Sequence, residues 1–484
     1  MSRACCPIHA AAMCHPDAPA LVAPSGEIAT FAECDANASA VAAAVRSAGL
    51  NTGSRLALLG PFDGWTLPVL FGAFRAGAAV YIPNARLPRP ALLENLARTA
   101  CRYVVGPASA GDLPHWLAPA GLLACPHRPA AADVDLDVPA TLLATSGSTG
   151  EPKLAVLSLE NHRANAAASN RNIEVLPGDR WLLSLPLYHV SGLGIVFRCV
   201  LAGAAVVAPA PGEPLEDAIR RLNVTHLSVV ATQLQRLLNT PSGRDALRQL
   251  KAVLVGGGAT PADLIERAAD CTVPLFTTYG LTETASQVTT TPPGAARDVL
   301  KTSGAPLAPG TVRVSDAGEI QVRGQTLFLG YLQADGALRR PVTADGWFPT
   351  GDLGQFDAGG NLVVTGRKDN MFVSGGENIH PEEIEAALCA LEDVERAIVV
   401  PVPDSDYGYR PLAFIVPAPG FAVDPASLRE RLARMLPRYK LPVRCLAWPE
   451  NVAQTGIKPD RGLLRNVAAG VAREPDARPA SEQA

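Results

Sequence analysis

The sequence reads Thr145-Ser146-Gly147-Ser148-Thr149-Gly150-Glu151-Pro152-Lys153 directly after the mostly apolar run from Ala140 to Ala144. Its two glycines let the backbone turn sharply and approach a ligand closely, while main-chain N–H groups, hydroxyls and the lysine can donate to phosphate oxygens. The segment is not a Walker A motif, because that motif needs a lysine directly after a glycine, and here two residues separate them. The pattern predicts a loop that holds phosphate, with a flexible surface linker as the alternative.

Further short motifs follow along the chain, several of them after strand-like apolar runs. In order they are Gly256-Gly257-Gly258, Thr277-Thr278-Tyr279-Gly280-Leu281-Thr282-Glu283-Thr284, Thr350-Gly351-Asp352, Gly366-Arg367-Lys368-Asp369, Ser374-Gly375-Gly376-Glu377-Asn378-Ile379-His380-Pro381-Glu382-Glu383 and Gly456-Ile457-Lys458. Together with the first loop they resemble the adenylate-forming superfamily of acyl-CoA ligases, luciferases and peptide-synthetase adenylation domains. The resemblance covers nearly the whole chain. It implies an enzyme that uses ATP and Mg²⁺ to convert a carboxylic acid into an acyl adenylate.

Apolar, β-rich runs alternate with helical patterns, for example the run from Lys251 to Val255 and the pattern from Thr30 to Ala48. This alternation predicts the α/β class, with parallel sheets covered by helices and functional loops at the carboxyl ends of strands. We expect a large N-terminal domain of doubly wound parallel sheets plus a β-barrel-like subdomain, and a small mobile C-terminal α+β domain. The expected bounds are 1–368 for the ATP- and acid-binding domain, 369–473 for the catalytic-lysine and CoA-positioning domain, and 474–484 for a flexible tail.

The composition favours a metabolic enzyme. The 484 residues are 48% hydrophobic and carry a net charge of −4, so nothing favours nucleic acid or an anionic membrane as a partner. Charged residues and prolines interrupt the two most apolar segments, 65–83 and 182–209, so we expect no stable membrane insertion. The ten cysteines form no Cys-x-x-Cys pair, which favours a reducing cytoplasm, and those near the N-terminus match no common zinc spacing. The sequence leaves a homo-oligomer open.

The resemblance assigns ATP binding to Thr145, Ser146, Gly147, Ser148, Thr149, Gly150, Lys153, Gly256, Gly257, Gly258, Thr278, Tyr279, Gly280, Asp352 and Arg367. In that assignment Tyr279 stacks on adenine, while Asp352 and Arg367 reach the ribose. Glu283 resembles the residue that orients Mg²⁺, a hard cation that prefers oxygen ligands, and Thr282 would donate to the α-phosphate. The alternative for each motif alone is a turn after a core strand.

Adenylation brings two anions together, so the site must supply positive charge where they meet. Lys458 resembles the family's catalytic lysine, with a solvated surface lysine as the alternative. The segment containing Ser374, Gly375 and Gly376 resembles the acyl-CoA ligase form, whose glycines let the pantetheine arm of coenzyme A pass beside the backbone. The family resemblance also puts a hinge at Asp369, about which the small domain rotates between the two half-reactions.

Arg198 lies in an otherwise apolar, glycine-flanked stretch, and a buried guanidinium without a partner is costly. We therefore expect it to meet an anion, which is either the acid substrate or a carboxylate of the core. The segments 185–198, 228–234 and 286–288 resemble the 2-succinylbenzoate–CoA ligases of menaquinone biosynthesis, whose substrate carries two carboxylates. The resemblance assigns the acid to His189, Arg198, Ser228, Thr232 and Gln287, with His189 as a substrate-pocket or gating residue. A satisfied core histidine is the alternative for His189.

Other functions stay open at this stage. The segment 375–381 also resembles aryl-CoA ligases, so an aromatic monocarboxylate is an alternative acid, and so is a fatty acid. A stand-alone adenylation protein that loads a carrier protein would not depend on coenzyme A. A diverged binding protein without turnover would be expected to have lost Lys458 or Glu283, and both are present.

Overall fold

The structure is a computed structural model that describes residues 3–113, 115–125, 132–145, 153–375, 377–404, 406–450, 452 and 461–471. Within these residues the strands are β1 (Arg3–Cys5), β2 (Pro19–Val22), β3 (Ile28–Thr30), β4 (Arg55–Leu58), β5 (Ala79–Tyr81), β6 (Tyr103–Val105), β7 (Trp116–Leu117), β8 (Asp133–Asp135), β9 (Pro139–Thr145), β10 (Lys153–Ser158), β11 (Arg180–Leu182), β12 (Ala205–Val207), β13 (His226–Val229), β14 (Ala252–Val255), β15 (Leu275–Leu281), β16 (Ser286–Thr290), β17 (Ala305–Pro306), β18 (Val312–Val314), β19 (Glu319–Val322), β20 (Gly330–Leu332), β21 (Leu338–Arg339), β22 (Phe348–Phe356), β23 (Leu362–Arg367), β24 (Phe372–Ser374), β25 (Glu377–Ile379), β26 (Val394–Asp404), β27 (Gly408–Pro417) and β28 (Arg444–Ala447).

The α-helices of the same residues are α1 (Pro7–Cys14), α2 (Phe31–Ser47), α3 (Thr66–Ala76), α4 (Arg89–Thr99), α5 (Pro119–Leu123), α6 (Leu159–Asn172), α7 (Val190–Ala202), α8 (Leu215–Arg221), α9 (Ala231–Asn239), α10 (Pro241–Arg248), α11 (Ala262–Asp270), α12 (Arg297–Leu300), α13 (Pro381–Cys389), α14 (Pro425–Leu432) and α15 (Arg461–Val471). Short 3₁₀ turns stand at Ala108–Ala110, Thr282–Thr284 and Arg438–Lys440. No helix of the described residues is long and apolar enough to cross a bilayer.

Two large mixed sheets form the body of the molecule. One has eight strands in the order β21-β20-β10-β9-β5-β4-β6-β7, and the other has nine in the order β17-β16-β15-β14-β13-β11-β12-β2-β3. In both, the central strands run parallel, while antiparallel pairs such as β9–β10 and β15–β16 extend the sheet toward its edge. The predicted doubly wound α/β body is therefore confirmed, with antiparallel edges that the alternation alone does not reveal.

Helices cover both faces of each large sheet. Successive residues of β14 alternate between two cores, because Leu254 packs with α2, α3, α6 and α7 between the sheets whereas Val255 packs with α8 to α11 outside. In β4, Leu58 joins the central core and Ala57 joins the outer core under α4. Side chains of a strand point alternately to opposite faces, so near-continuous apolar strands indicate sheets buried on both sides.

Local sequence explains where these helices begin and what they bury. The Thr30 hydroxyl accepts the Glu33 N–H at 3.2 Å and the Glu33 carboxylate accepts the Thr30 N–H at 2.8 Å, a capping box that starts α2. Every residue of α3 is buried, including Arg75, which pairs with Asp35. The apolar segment 65–83 is therefore a core helix and strand.

Smaller sheets complete the fold. Strands β18, β19, β22 and β23 form a four-stranded antiparallel sheet where the barrel-like subdomain was expected. Beyond it, β24 to β28 form one sheet with α13 to α15 around it, and this unit has cores of its own. The expected α+β character of the small domain is confirmed. Helix α14 ends at Leu432 rather than the predicted Leu436, because the chain tightens into turns before Pro437, which cannot continue a helix.

Candidate active site

The segment 145–153, which is predicted to bind phosphate, connects β9 to β10 of the eight-stranded sheet, and the structure describes its two end residues. Thr145 and Lys153 face each other in this antiparallel pair, and the Thr145 hydroxyl donates to the Lys153 carbonyl oxygen at 3.3 Å. Lys153 is exposed, and its Nζ lies 5.3 Å from the centre of the Tyr331 ring. The predicted phosphate-binding residues Ser146, Gly147, Ser148, Thr149 and Gly150 lie outside the described residues.

Glu283 is a buried carboxylate, with 8% of the residue exposed. It sits in the 3₁₀ turn that also contains Thr282, and its Oε1 accepts the hydroxyl of Tyr331 at 2.6 Å. Burial and the Glu283 charge raise the pKa of Tyr331, so this hydroxyl remains a neutral donor. In the described part of the chain Glu283 makes no salt bridge. A buried carboxylate of this kind fits a hard cation such as Mg²⁺, which would supply the missing positive charge.

Tyr279, Asp352 and Arg367 form one cluster. The Tyr279 hydroxyl donates to Asp352 Oδ2 at 2.6 Å, and Arg367 Nη1 donates to Asp352 Oδ1 at 2.7 Å. Asp352 and Arg367 are paired residues of β22 and β23, so the sheet register itself brings them together. Burial and the Asp352 charge raise the pKa of Tyr279 well above its usual range. The cluster places a carboxylate and a guanidinium beside an aromatic ring, which suits a ribose next to a stacked base.

Three of the four predicted glycines stand where a side chain would clash or where the backbone is left-handed. A Cβ on Gly256 would lie 2.7 Å from Thr278 Cγ2, and one on Gly280 would lie 2.0 Å from the Ser286 carbonyl oxygen. Gly257 has φ +82°, whereas Gly258 borders open space. These four glycines flank the ends of β14 and β15, which are parallel neighbours.

Arg198 is the second feature of the site. It lies on α7, is 1% exposed, and its Cζ stands 4.4 Å from the centre of the Trp181 ring. Its Nε and Nη1 are buried and have no hydrogen-bond partner in the described residues. Burial lowers the pKa of Arg198 to about 10. The salt bridge with a core carboxylate, which was the alternative from the sequence, is absent among the described residues. The Arg198 charge therefore has no counter-ion among them, and an anionic ligand could supply one.

The other predicted acid-binding residues differ in their surroundings. Ser228 is buried, and its hydroxyl oxygen accepts the Trp181 indole N–H at 3.1 Å. Gln287 donates to the Ser169 hydroxyl at 2.6 Å, while its Oε1 is buried without a partner in the described residues. Thr232 lies in the first turn of α9 and is partly exposed. His189 precedes α7, is half-buried, and its ring centre lies 4.7 Å from that of Tyr188.

The small domain contributes the predicted CoA segment and hinge. Ser374 is buried, and Gly375 has φ +57° with its amide donating to the Tyr407 carbonyl oxygen at 2.9 Å. A Cβ on Gly375 would lie 2.6 Å from the Tyr407 ring, so this position requires glycine. Asp369 is exposed, 3.6 Å from Arg367 Nη2. Gly376 and Lys458 lie outside the described residues, as does the predicted tail 474–484.

Sequence reasoning missed two residues of the site, Tyr331 and Trp181. Tyr331 reaches Glu283 across 48 residues of chain, and Trp181 reaches Ser228 across 47. No local motif marks either side chain, because each contact depends on strands that pair far apart in sequence. The N-terminal cysteines and histidines show no metal cluster in the part of the chain that is described, and His9 instead contacts Asp35 at 2.9 Å.

Comparison with known proteins follows the same division of the chain. A family model described as AMP-binding enzyme matches residues 8–332, and one described as AMP-binding enzyme C-terminal domain matches residues 383–456. The 2-succinylbenzoate–CoA ligase of Listeria monocytogenes serotype 4b (strain F2365) is 34% identical over 422 residues, which cover 86% of this chain and 90% of that protein.

Solved structures of similar proteins share the whole architecture. The o-succinylbenzoate CoA synthetase of Bacillus subtilis in complex with the acyl-adenylate intermediate OSB-AMP superposes with a TM-score of 0.86 and 28% identity, covering 96% of this chain and 98% of that one. The same enzyme in complex with ATP and magnesium ion gives a TM-score of 0.85 and 27% identity, covering 96% and 100%. The family match and the extent of these similarities lead to one conclusion: the chain belongs to the AMP-binding enzyme family.

Proposed function

We propose that the protein is an AMP-forming acid–CoA ligase that converts 2-succinylbenzoate, ATP and coenzyme A into the CoA thioester through an acyl adenylate, as a step of menaquinone biosynthesis. Family membership and the similarity to 2-succinylbenzoate–CoA ligases support the reaction class. The single observation that supports 2-succinylbenzoate as the substrate is that the buried Nε and Nη1 atoms of Arg198 have no hydrogen-bond partner among the described residues. Coenzyme A, ATP and Mg²⁺ are the small molecules that this reaction requires.

The adenylation half-reaction uses the nucleotide cluster. In this proposal Asp352 and Arg367 bind the ribose, Tyr279 packs on adenine, and the loop 145–153 with Thr278 and Thr282 contacts the phosphates. Glu283 would hold Mg²⁺, which when bound neutralises negative charge on the phosphate oxygens. The Tyr331 hydroxyl fixes one oxygen of Glu283 at 2.6 Å, which leaves the other available as a ligand. Lys458 supplies positive charge where the acid and the α-phosphate meet.

Thioester formation uses the small domain. We propose that rotation at Asp369 replaces Lys458 by the Ser374–Gly376 segment at the active site. The left-handed backbone at Gly375 favours glycine, which supports the resemblance of this segment to the CoA-positioning segment of acyl-CoA ligases. The domain bounds 1–368 and 369–473 belong to this proposal.

The acid subsite is built around Arg198. 2-Succinylbenzoate carries one carboxylate that is activated and one that is not, and the second needs a cationic partner in a buried site. Arg198 has Nε and Nη1 without a protein acceptor among the described residues, so a carboxylate that reached either donor would supply a missing hydrogen bond. Ser228, Thr232, Gln287 and His189 would line the remainder of the pocket. A monocarboxylate such as benzoate or a fatty acid would leave the buried guanidinium unpaired.

The test is release of AMP that depends on CoA and Mg-ATP, measured in parallel with 2-succinylbenzoate, benzoate and a medium-chain fatty acid. Turnover confined to 2-succinylbenzoate, and lost in Arg198→Ala, is the expected result. Turnover with benzoate or a fatty acid instead would refute 2-succinylbenzoate as the substrate and leave the acid–CoA ligase activity supported. AMP formation with a carrier protein and without a CoA requirement would identify an adenylation protein.

The proposal places the enzyme in the cytoplasm. All ten cysteines are free thiols in the structure, which agrees with a reducing compartment. Neither nucleic acid nor a membrane is required for the proposed reaction, and a homo-oligomer stays open to measurement by sedimentation.

A further inference from the structure

The Arg198 guanidinium lies against the ring of Trp181. The Cζ atom lies 4.4 Å from the ring centre, and both residues are 1% exposed. A guanidinium over an indole gains a cation–π attraction that is larger when water is excluded. The indole ring offers no hydrogen-bond acceptor, so this contact leaves Nε and Nη1 without a hydrogen-bond partner.

Trp181 is itself held in place. Its indole N–H donates to the Ser228 hydroxyl at 3.1 Å, and its ring centre lies 5.0 Å from that of His226 in a stacked arrangement. His226 is fixed through a 2.9 Å contact between its Nε2 and the Glu174 carbonyl oxygen. Burial lowers the pKa of His226, so the ring is neutral at pH 7 and adds no charge beside Arg198. The stack is therefore a rigid support for the guanidinium.

Gly194 controls the space at the guanidinium edge. It lies one helical turn before Arg198 on α7, in the interior of that helix. A Cβ at this position would stand 3.4 Å from Arg198 Nη1 and 3.2 Å from the Ser286 hydroxyl oxygen. Nη1 is buried and has no partner in the described residues, so glycine at position 194 leaves room for this donor beside the Ser286 hydroxyl.

We propose that Trp181 and Gly194 are positioning residues of the acid subsite: Trp181 holds the Arg198 guanidinium in place, and the absence of a Cβ at Gly194 leaves Nη1 unobstructed on that side as a donor for the substrate's second carboxylate. This inference rests on the proposed function. It assigns the specificity for a dicarboxylate to the buried side chains of Arg198, Trp181 and His226 and to the absence of a Cβ at Gly194. Neither positioning residue touches the reacting atoms.

The test compares two substrates, 2-succinylbenzoate and an analogue that keeps the activated carboxylate and lacks the other. The readout is the ratio of kcat/KM for the two, because a merely structural defect lowers both values and leaves their ratio unchanged. The variants are Trp181→Leu, Trp181→Phe and Gly194→Ala. Trp347→Leu is the matched control, since Trp347 is a buried tryptophan that stacks with Arg313 and Arg323 outside the nine-stranded sheet.

We expect Trp181→Leu to lower the ratio by about 10-fold and Trp181→Phe by about 3-fold, because phenylalanine offers a weaker cation–π surface and no N–H for Ser228. Gly194→Ala should lower the ratio, because its Cβ would crowd Arg198 Nη1 and the Ser286 hydroxyl. Its thermal midpoint should change little, because the higher helix propensity of alanine offsets this crowding. Trp347→Leu should leave the ratio unchanged.

Two results separate this inference from the proposed function. If wild-type enzyme does not prefer 2-succinylbenzoate over the analogue, the proposed substrate fails. If wild-type enzyme discriminates, and Arg198→Ala abolishes this, but both Trp181→Phe and Gly194→Ala keep the wild-type ratio, the positioning roles are refuted and the substrate stands. If Trp181→Leu does not fold, Trp181→Phe and Gly194→Ala decide the question.

Discussion

Replacing Arg198 by methionine should stabilise the free protein and destroy its selectivity for a dicarboxylate. Burial lowers the pKa of Arg198 from its ordinary 12.5 to about 10. At 1.36 kcal/mol for each tenfold change in proton affinity, the charged form is destabilised in the fold by about 3 kcal/mol at neutral pH. This penalty decreases only as the pH rises through about 10, because the depressed pKa belongs to a base. Methionine removes the charge and keeps a flexible apolar side chain that reaches about as far as the position of Nε.

The same substitution, Arg198→Met, should lower activity although it raises stability. Hydrogen bonds to charged groups contribute about 1.5–3 kcal/mol each, and two donors of Arg198, Nε and Nη1, await an acceptor. Their loss should therefore lower kcat/KM for 2-succinylbenzoate by about 10²- to 10⁴-fold. The assay is CoA-dependent AMP release for activity, with the thermal midpoint of the ligand-free protein for stability. Activity toward an analogue without the second carboxylate should change little.

Arg75 provides the matched control for this reasoning. It is a buried arginine like Arg198, 4% exposed, but it forms a salt bridge with Asp35. Arg75→Met leaves that carboxylate with only the partly exposed His9 as a partner and should lower the thermal midpoint. A fall in midpoint for Arg198→Met comparable to that of Arg75→Met would show that Arg198 has an internal partner and refute the argument. If kcat/KM for 2-succinylbenzoate is unchanged in Arg198→Met, the proposed contact between Arg198 and the acid is refuted.

Three further predictions concern other parts of the chain. Tyr331→Phe removes the hydroxyl that donates to Glu283. Because loss of a residue that supports a metal ligand weakens metal binding, the Mg²⁺ concentration needed for half-maximal AMP release should rise by about 10-fold. An unchanged Mg²⁺ titration would argue against this role of Tyr331. Asp352→Asn should raise KM for ATP more than it lowers kcat, because in the proposed function the cluster of Asp352 with Tyr279 binds the nucleotide and not the reacting groups. Steady-state kinetics with varied ATP measure both values, and a larger effect on kcat than on KM would contradict this role. Burial lowers the pKa of His162 from 6.5 to about 3, so folding opposes its protonation and wild-type stability falls with decreasing pH below 6.5. The free energy of unfolding, measured by chemical denaturation, should therefore fall between pH 7 and pH 5 by about 2 kcal/mol more in wild type than in His162→Gln. An equal fall in the two proteins would contradict the argument.

Motifs that act through their own backbone could be predicted from sequence. The run Gly256–Gly258 after a strand, and Thr282 with Glu283 after another, follow β14 and β15, whose parallel pairing places both at one end of the nine-stranded sheet. The order apolar strand, glycine turn, helix is a local signal, so the α/β class followed from it. The antiparallel edge strands of both sheets did not, because a strand's direction depends on its partner.

The partners of individual side chains could not be predicted. Whether Arg198 meets a substrate or a core carboxylate was undecided from sequence, and the structure shows its edge unpaired among the described residues. Tyr331 and Trp181 carried no motif, since a lone aromatic residue in a strand is usually core. Their contacts join positions 48 and 47 residues apart.

The sequence by itself determined the reaction class and predicted the nucleotide-binding segments, because phosphate and Mg²⁺ are bound by short runs of glycine, hydroxyl and carboxylate residues that are contiguous in the chain. Only the tertiary structure decided the surroundings of the acid pocket. There α7, β11 and β13 bring Arg198, Trp181 and Ser228 together in a water-excluded core. In such a core the free energy of a charge depends on every neighbour within a few ångströms, and those neighbours come from chain pairing that no local pattern encodes.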